Sequence, residues 1–304
     1  MIVEKSKKYF SKVLLFGEYT LMSGSMALSI PFNKFYGQLL LDSKSENKKS
    51  DHYSVKYLID YHNYLVKNKF DETLDLEVLL SDINNGLFFD CNIPISYGLG
   101  SSGAIVASIF QTYKTDNMVY EFESMKRFFS KMESYYHGQS SGLDPLVSYF
   151  NQPILVSSDG NVNTTQVSLK DRDGKGGVFL LDTDVTGETQ PLVSWYIEEI
   201  KNPEFKSKVE NILIPANNRC IGNMLDGKTY GWIHEIAQLS QFTFDNLKMM
   251  IPENIQTFWK KGIESGNYYL KLCGSGGGGM MLGFAKDLDL ALSELSKFKT
   301  HVIS

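Results

Sequence analysis

The chain has 304 residues, 42% hydrophobic and 21% charged, the balance of a soluble globular protein long enough for one large domain or two ordinary ones. A formal net charge of -5 argues against a general polyanion binder such as a nucleic-acid coat. Three scattered cysteines, Cys91, Cys220 and Cys273, suit neither a disulfide framework nor a cysteine zinc site, and they fit a reducing compartment. With no signal-peptide run and nothing near the ~18 apolar residues of a membrane span, the expectation is a cytoplasmic protein without nucleic-acid or membrane partners.

The apolar run Val13, Leu14, Leu15 and Phe16 predicts a strand ending at Gly17. MALSIPF (26–32) and FYGQLLLD (35–42) predict two more, followed by a polar loop, 43–51. Val55, Leu58, Ile59, His62 and Leu65 have helical spacing over 53–67. The alternation in LDLEVLLSD (74–82) predicts a strand, as does LFFDCNIP (87–94). Helices are expected from Ala104 to Tyr113 and from Glu121 to His137, the second with Phe122, Met125, Phe129, Met132 and Tyr136 on one stripe. Strands return at 153–158 and 178–184, helices dominate 191–265, and strands at 268–274 and 280–284 precede a short helix and a last strand. This order is α+β, with a boundary near the DRDGKGG loop (171–177), giving domains of 1–170 and 171–304.

Between a strand and a helix lies YGLGSSGA (97–104). Glycines let backbone N–H groups converge, and a helix N-terminus adds about half a positive charge, so Gly98, Leu99, Gly100, Ser101, Ser102 and Gly103 can form an anion cradle. The two serines can add hydroxyls for a phosphate or a magnesium ion. Taken alone, such a loop equally serves as a turn between two elements. LKLCGSGGGGMMLGF (270–284) places five glycines between two apolar strands, where backbone must approach something closely. In ESYYHGQSSGLDP (133–145), Glu133 lies four residues after Phe129, at the edge of the apolar stripe, and Asp144 sits in a turn before a proline. Either carboxylate alone reads more readily as an exposed glutamate or a capping aspartate.

Four segments carry a resemblance: K12-V-L-L-F-G-E-Y19, G98-L-G-S-S102, H137-G-Q-S-S-G-L-D144 and G274-S-G-G-G-G279. Their order, across residues 12–284, resembles that of GHMP kinases, and within that superfamily mevalonate kinases most closely. The resemblance implies a ribosomal-protein-like N-terminal domain with a left-handed βαβ unit. It implies a ferredoxin-like C-terminal domain and an active site in the cleft between the two. It implies an enzyme of isoprenoid biosynthesis that uses ATP and Mg2+ to phosphorylate a hydroxyl of a small metabolite, mevalonate first; a homodimer is compatible with it. Position by position, the loop Gly98 to Gly103 wraps the ATP phosphates, Ser102 and Glu133 hold the metal, and Asp144 with Lys12 serves the acceptor hydroxyl. Glu18, Tyr19, Ser141, Gly142, Thr189, Gly274, Ser275 and Gly276 fall in the substrate region.

The chemistry read from the residues agrees. Phosphoryl transfer needs alignment and charge neutralisation more than covalent work. A carboxylate and a hydroxyl suffice for a magnesium ion that keeps its waters, and a carboxylate within reach of a hydroxyl can take its proton or act electrostatically.

The chain departs from the resemblance in places. Y9-F10-S11 replaces A-P-G, and Tyr19 stands where mevalonate kinases place histidine. Gly103 replaces alanine, and Ser140 replaces the proline before S-G, a minor change on this reading. Tyr19 and Gly103 resemble phosphomevalonate kinases, for which Lys34 and Arg219 are candidate partners of a second phosphate. The adenine would be sought over Tyr53 to Tyr61. A competing match, GNMLDGKT (222–229), fits the Walker A pattern with Lys228 and Thr229, but a helical start rather than a strand precedes it, so a bend between helices is expected there. A non-catalytic binding homologue is the remaining alternative, disfavoured by the presence of Lys12, Ser102, Glu133 and Asp144 together.

Overall fold

The computed structural model describes residues 2–42, 52–115, 121–169, 174–187, 189–227 and 231–303, without the side chains of residues 52–54, 189, 190, 231 and 232. Two compact units take interleaved parts of the chain. The first is Met1–Lys12, Pro31–Pro94 and Gly100–Gln152; the second is Val13–Ile30, Ile95–Leu99 and Pro153–Ser304.

Three strands open the chain: β1 (Ile2–Glu4), β2 (Tyr9–Phe16) and β3 (Ala27–Asp42). The two strands expected at 26–32 and 35–42 are one. Asn33 and Lys34 are polar because they are exposed along the strand rather than because the chain turns there. After α1 (His52–Lys67) comes a second correction, since 74–82 forms no strand. Instead Asp75 caps a helix, α2 (Leu76–Asn84), its carboxylate accepting from Val78 N–H at 3.0 Å. Leu76, Leu79 and Ile83 are its buried face, a helical spacing hidden under an apparent alternation.

The later part of β3 pairs antiparallel with β1 and with β4 (Leu87–Cys91). Then follow α3 (Ser101–Tyr113), α4 (Phe122–His137) and α5 (Leu143–Phe150). Helix α3 is buried almost throughout from Gly103 to Phe110, so the first unit is built around it. On α4 the stripe Met125, Phe129 and Met132 is buried as expected, and Glu133 is buried beside it.

In the second unit, β5 (Ile154–Val156) pairs with the start of β3 and with β6 (Val162–Thr164). The rest is β7 (Gly177–Asp182), α6 (Thr189–Glu199), α7 (Pro203–Lys208), α8 (Ile214–Leu225), α9 (Gly231–Asn246), α10 (Glu253–Ser265), β8 (Tyr268–Leu272), β9 (Met280–Ala285), α11 (Leu288–Glu294) and β10 (Thr300–Ile303). Strands 7 to 10 form a four-stranded antiparallel sheet in the order β10-β7-β9-β8. With helices after β7 and β9, this is the β-α-β-β-α-β arrangement of a ferredoxin-like layer. Its two central strands, β7 and β9, are buried at every position, which explains their unbroken apolar runs.

Among the described residues no helix is long and apolar enough to cross a membrane. The corrected element yields a stability prediction. Asp75→Ala removes the cap of α2 and lowers the unfolding free energy by about 1 kcal/mol, read as an earlier urea midpoint at unchanged slope.

Candidate active site

The site in the first unit starts from a lysine that the fold takes out of water. Lys12, on β2, has a side chain 6% exposed, and its Nζ lies 3.1 Å from Asp144 Oδ1. Asp144 occupies the first turn of α5, behind the helix cap Gly142. Its neighbour across the site is Gly100, which caps α3 at φ 75°. A Cβ there would sit 2.8 Å from Lys12 Cγ and 3.5 Å from Asp144 Oδ2, so the glycine is what lets the lysine stem lie under the loop. Gly103 lies as close to the Asp144 backbone, a Cβ there being 2.7 Å from its carbonyl carbon. Two helix N-termini, of α3 and α5, thus flank one lysine–aspartate pair. Their first-turn N–H groups have no partner within the helix and favour anions.

Glu133 is the buried carboxyl of the site, 2% exposed. Ser102 donates its hydroxyl to Glu133 Oε1 at 2.8 Å, and Ser140 donates to Oε2. Burial pushes the Glu133 pKa up to about 8, with nearby Asp144 adding to the rise; the two serine hydrogen bonds and Lys12 oppose it. His137 Nε2 lies 3.0 Å from Ser102 Oγ. Desolvation lowers the His137 pKa, with Asp144 opposing and Lys12 adding to the fall. A carboxylate and a hydroxyl, both hard oxygen donors, meet beside a helix N-terminus. That donor set fits a magnesium ion that takes its remaining oxygens from phosphates and water. Among the described residues no group of three or more His, Cys, Asp or Glu side chains makes a protein-only metal cage.

In the second unit, Glu18 and Lys271 form a buried ion pair, each side chain 7% exposed. Lys271 also donates to the Leu272 carbonyl at 2.9 Å. The other carboxylate oxygen, Glu18 Oε1, is buried without a hydrogen-bond partner. The pair lines a pocket of about 30 Å³ with Tyr19, Thr20, Asn217 and Thr243, room for an ordered water. Tyr19 takes a positive φ of 61°. Its ring lies 4.5 Å from that of Tyr196, and its hydroxyl donates to the Ser275 carbonyl at 2.6 Å. Burial, then the Glu18 carboxylate, hold the phenol well above its usual pKa, so it remains a donor.

The glycine loop after β8 is fixed at several points. Gly277 N–H donates to the Met250 carbonyl at 2.7 Å, and Gly279 N–H to the Val185 carbonyl at 2.6 Å. Gly274 and Ser275 are half-buried and Gly276 is buried. In the same unit Gly98 lies against this loop, where a Cβ would be 2.4 Å from the Cys273 carbonyl oxygen, and Leu99 is buried.

The first unit therefore brings together Lys12, Ser102, Glu133 and Asp144, with Ser101 in the first turn of α3. Ser141 is exposed, its hydroxyl accepting from Leu143 N–H at 3.3 Å. Thr189 opens α6, and its side chain lies outside the described residues, as does that of Tyr53. The Walker-like stretch begins inside α8, so its first glycine is helical; Lys228 and Thr229 lie outside the described residues. Sequence reasoning passed over Ser140, Lys271 and Tyr196. For Ser140 the signal was present, a hydroxyl replacing a proline seven residues after Glu133.

No family model matches the chain, and no curated protein matches its sequence. Solved structures do match. A mevalonate kinase from L. major in complex with R-mevalonate is similar at a TM-score of 0.65 and 16% identity, over 98% of this chain and 93% of that one. The Streptococcus pneumoniae phosphomevalonate kinase in complex with phosphomevalonate and AMPPNP matches at 0.63 and 12% identity, over 100% of both chains. Lactococcus lactis galactokinase complexed with galactose matches at 0.67 and 14% identity, over 97% and 92%. The chain has the fold of these GHMP kinases.

Two outcomes follow from this geometry. A carboxyl whose pKa is raised on folding stabilises the fold while protonated, and that contribution is lost as pH rises from the usual carboxylate range through about 8. Glu133→Gln lacks the titration. The stability difference between the metal-free unsubstituted protein and this variant should therefore shrink, then change sign, as pH rises, as urea titrations at several pH values would show. Tyr19→Phe removes the bond to Ser275, costs about 0.5–1.5 kcal/mol, and speeds hydrogen exchange of the amides at 276–279.

Proposed function

We propose that the chain is an ATP- and Mg2+-dependent kinase that phosphorylates a hydroxyl group of a small metabolite, with mevalonate, giving 5-phosphomevalonate, as first choice. The observation that carries this reading is the Lys12–Asp144 pair set against the N-terminus of α3, with Ser102 and Glu133 in the same unit. The fold shared with solved small-molecule kinases supports it. On this reading residues 1–170 form the ATP-binding domain and 171–304 the C-terminal domain.

This reading assigns each residue of the site a role. The first-turn N–H groups of α3 and the hydroxyls of Ser101 and Ser102 bind phosphate oxygens. Ser102 and Glu133 hold the metal, which when bound neutralises phosphate charge. Asp144 accepts the proton of the acceptor hydroxyl, and Lys12, 3.1 Å away, fixes the carboxylate and offsets charge developing beside it. His137, with Nε2 3.0 Å from Ser102 Oγ, holds that hydroxyl in place.

Phosphomevalonate is the second reading, favoured by Tyr19 and Gly103. Arg219, one candidate for its extra phosphate, is paired with Glu235 at 2.8 Å on the α8–α9 surface, which weighs against that role. Lys34 is exposed on β3.

ADP release with ATP and Mg2+ tests the reading, with mevalonate and 5-phosphomevalonate compared under identical conditions. A rate with mevalonate alone is expected; a rate with 5-phosphomevalonate alone moves the assignment to that acceptor, and no rate with either withdraws both. Asp144→Asn should lower kcat by about 100- to 10,000-fold while ATP still binds; full activity in that variant removes Asp144 from its role.

A further inference from the structure

The segment between α4 and α5 holds a hydroxyl that the functional reading does not use. Ser140 is half-buried. Its hydroxyl donates to Glu133 Oε2 and accepts from Gly142 N–H at 3.0 Å. Its carbonyl accepts from Ser130 Oγ, on α4, at 2.6 Å. The serine is thus tied to α4 at two points, one of them the carboxylate itself, and to the glycine that caps α5 two residues before Asp144.

We propose that Ser140 is a positioning residue for the metal-binding carboxylate, its hydroxyl and that of Ser102 holding Glu133 by opposite oxygens. The inference rests on the kinase reading of the site. A glutamate has three side-chain torsions, and a buried carboxylate bonded on one oxygen alone can still swing about that bond. The second hydroxyl removes this freedom. It commits Oε2 to the α4–α5 segment and leaves Oε1, with Ser102 Oγ, as the pair of hard oxygens that would hold a cation. Groups that orient a metal ligand in this way matter nearly as much as the ligand. A proline at this position, as in the kinases the sequence resembles, has no hydroxyl to offer. Here the restraint is a hydrogen bond rather than a ring. The bond to Gly142 extends the same restraint toward Asp144, so one side chain sets the spacing between the two carboxylates.

The test separates the hydroxyl from the shape of the side chain. Thr and Val have nearly the same shape, and only Thr keeps the hydroxyl. Mn2+ binding in the presence of ATP, followed by the loss of the free-ion electron paramagnetic resonance signal, should be retained in Ser140→Thr. It should weaken about 10-fold in Ser140→Val and in Ser140→Ala, with thermal midpoints alike for Thr and Val. Equal Mn2+ affinity in the Thr and Val variants overturns the proposal and leaves the kinase reading standing. Absence of ATP-dependent Mn2+ binding by the unsubstituted protein overturns the kinase reading, and this proposal with it.

Discussion

The first unit is organised around the cost of burying two ionisable groups, Lys12 and Glu133, beside a part-exposed third, Asp144. An unpaired charge there would be expensive, and each is compensated in a different way. Lys12 finds Asp144; Glu133 finds two hydroxyls and has its pKa raised by burial; and the ends of two helices lend their dipoles nearby. The surrounding fold serves these contacts. Helix α3 is buried along most of its length, so its N-terminus is held rigidly. Gly100 admits the lysine stem, and Gly103 lets α3 approach the start of α5. On the proposed reading, the same crowding that makes the site costly to fold leaves donors and charges placed for a polyanion, the preorganisation that phosphoryl transfer requires.

The second unit solves a similar problem with different residues. Glu18 and Lys271 neutralise one another in its interior, beside Tyr19, whose unusual backbone is secured by ring packing and a bond to Ser275. The strain of a tyrosine at positive φ is tolerated because these contacts determine it from two sides. Tyr19 and the glycine loop are therefore one mechanical element of that unit, joined by a single hydroxyl.

Much of this was legible in the sequence, for identifiable reasons. Uninterrupted apolar runs marked the central strands β7 and β9, and a 3.6-residue stripe marked α4 and placed Glu133 at its edge. Glycines at 98, 100 and 103 marked where backbone comes close to other atoms. The misread segment, 74–82, failed because a run of leucines at both odd and even positions fits two periods, and the cap at Asp75 decides for the helix. The contacts of the second unit that the sequence did not announce are pairs distant along the chain. Nothing near Glu18 announces Lys271, 253 residues away, and nothing local reveals that the Tyr19 hydroxyl reaches the Ser275 carbonyl. Ser140 lay in plain view, but its meaning depends on where the Glu133 carboxylate turns, which a linear pattern does not contain.

The measurement that tests the central claim most directly is the position of the metal and the nucleotide. Crystals grown with AMPPNP and Mn2+, with the metal located by its anomalous scattering, give it without any assumption about the acceptor. The account predicts an anomalous peak bonded to Ser102 Oγ and Glu133, with phosphates against the first turn of α3. A peak or a triphosphate at residues 222–229 instead, with Glu133 left to its two serines, would contradict it.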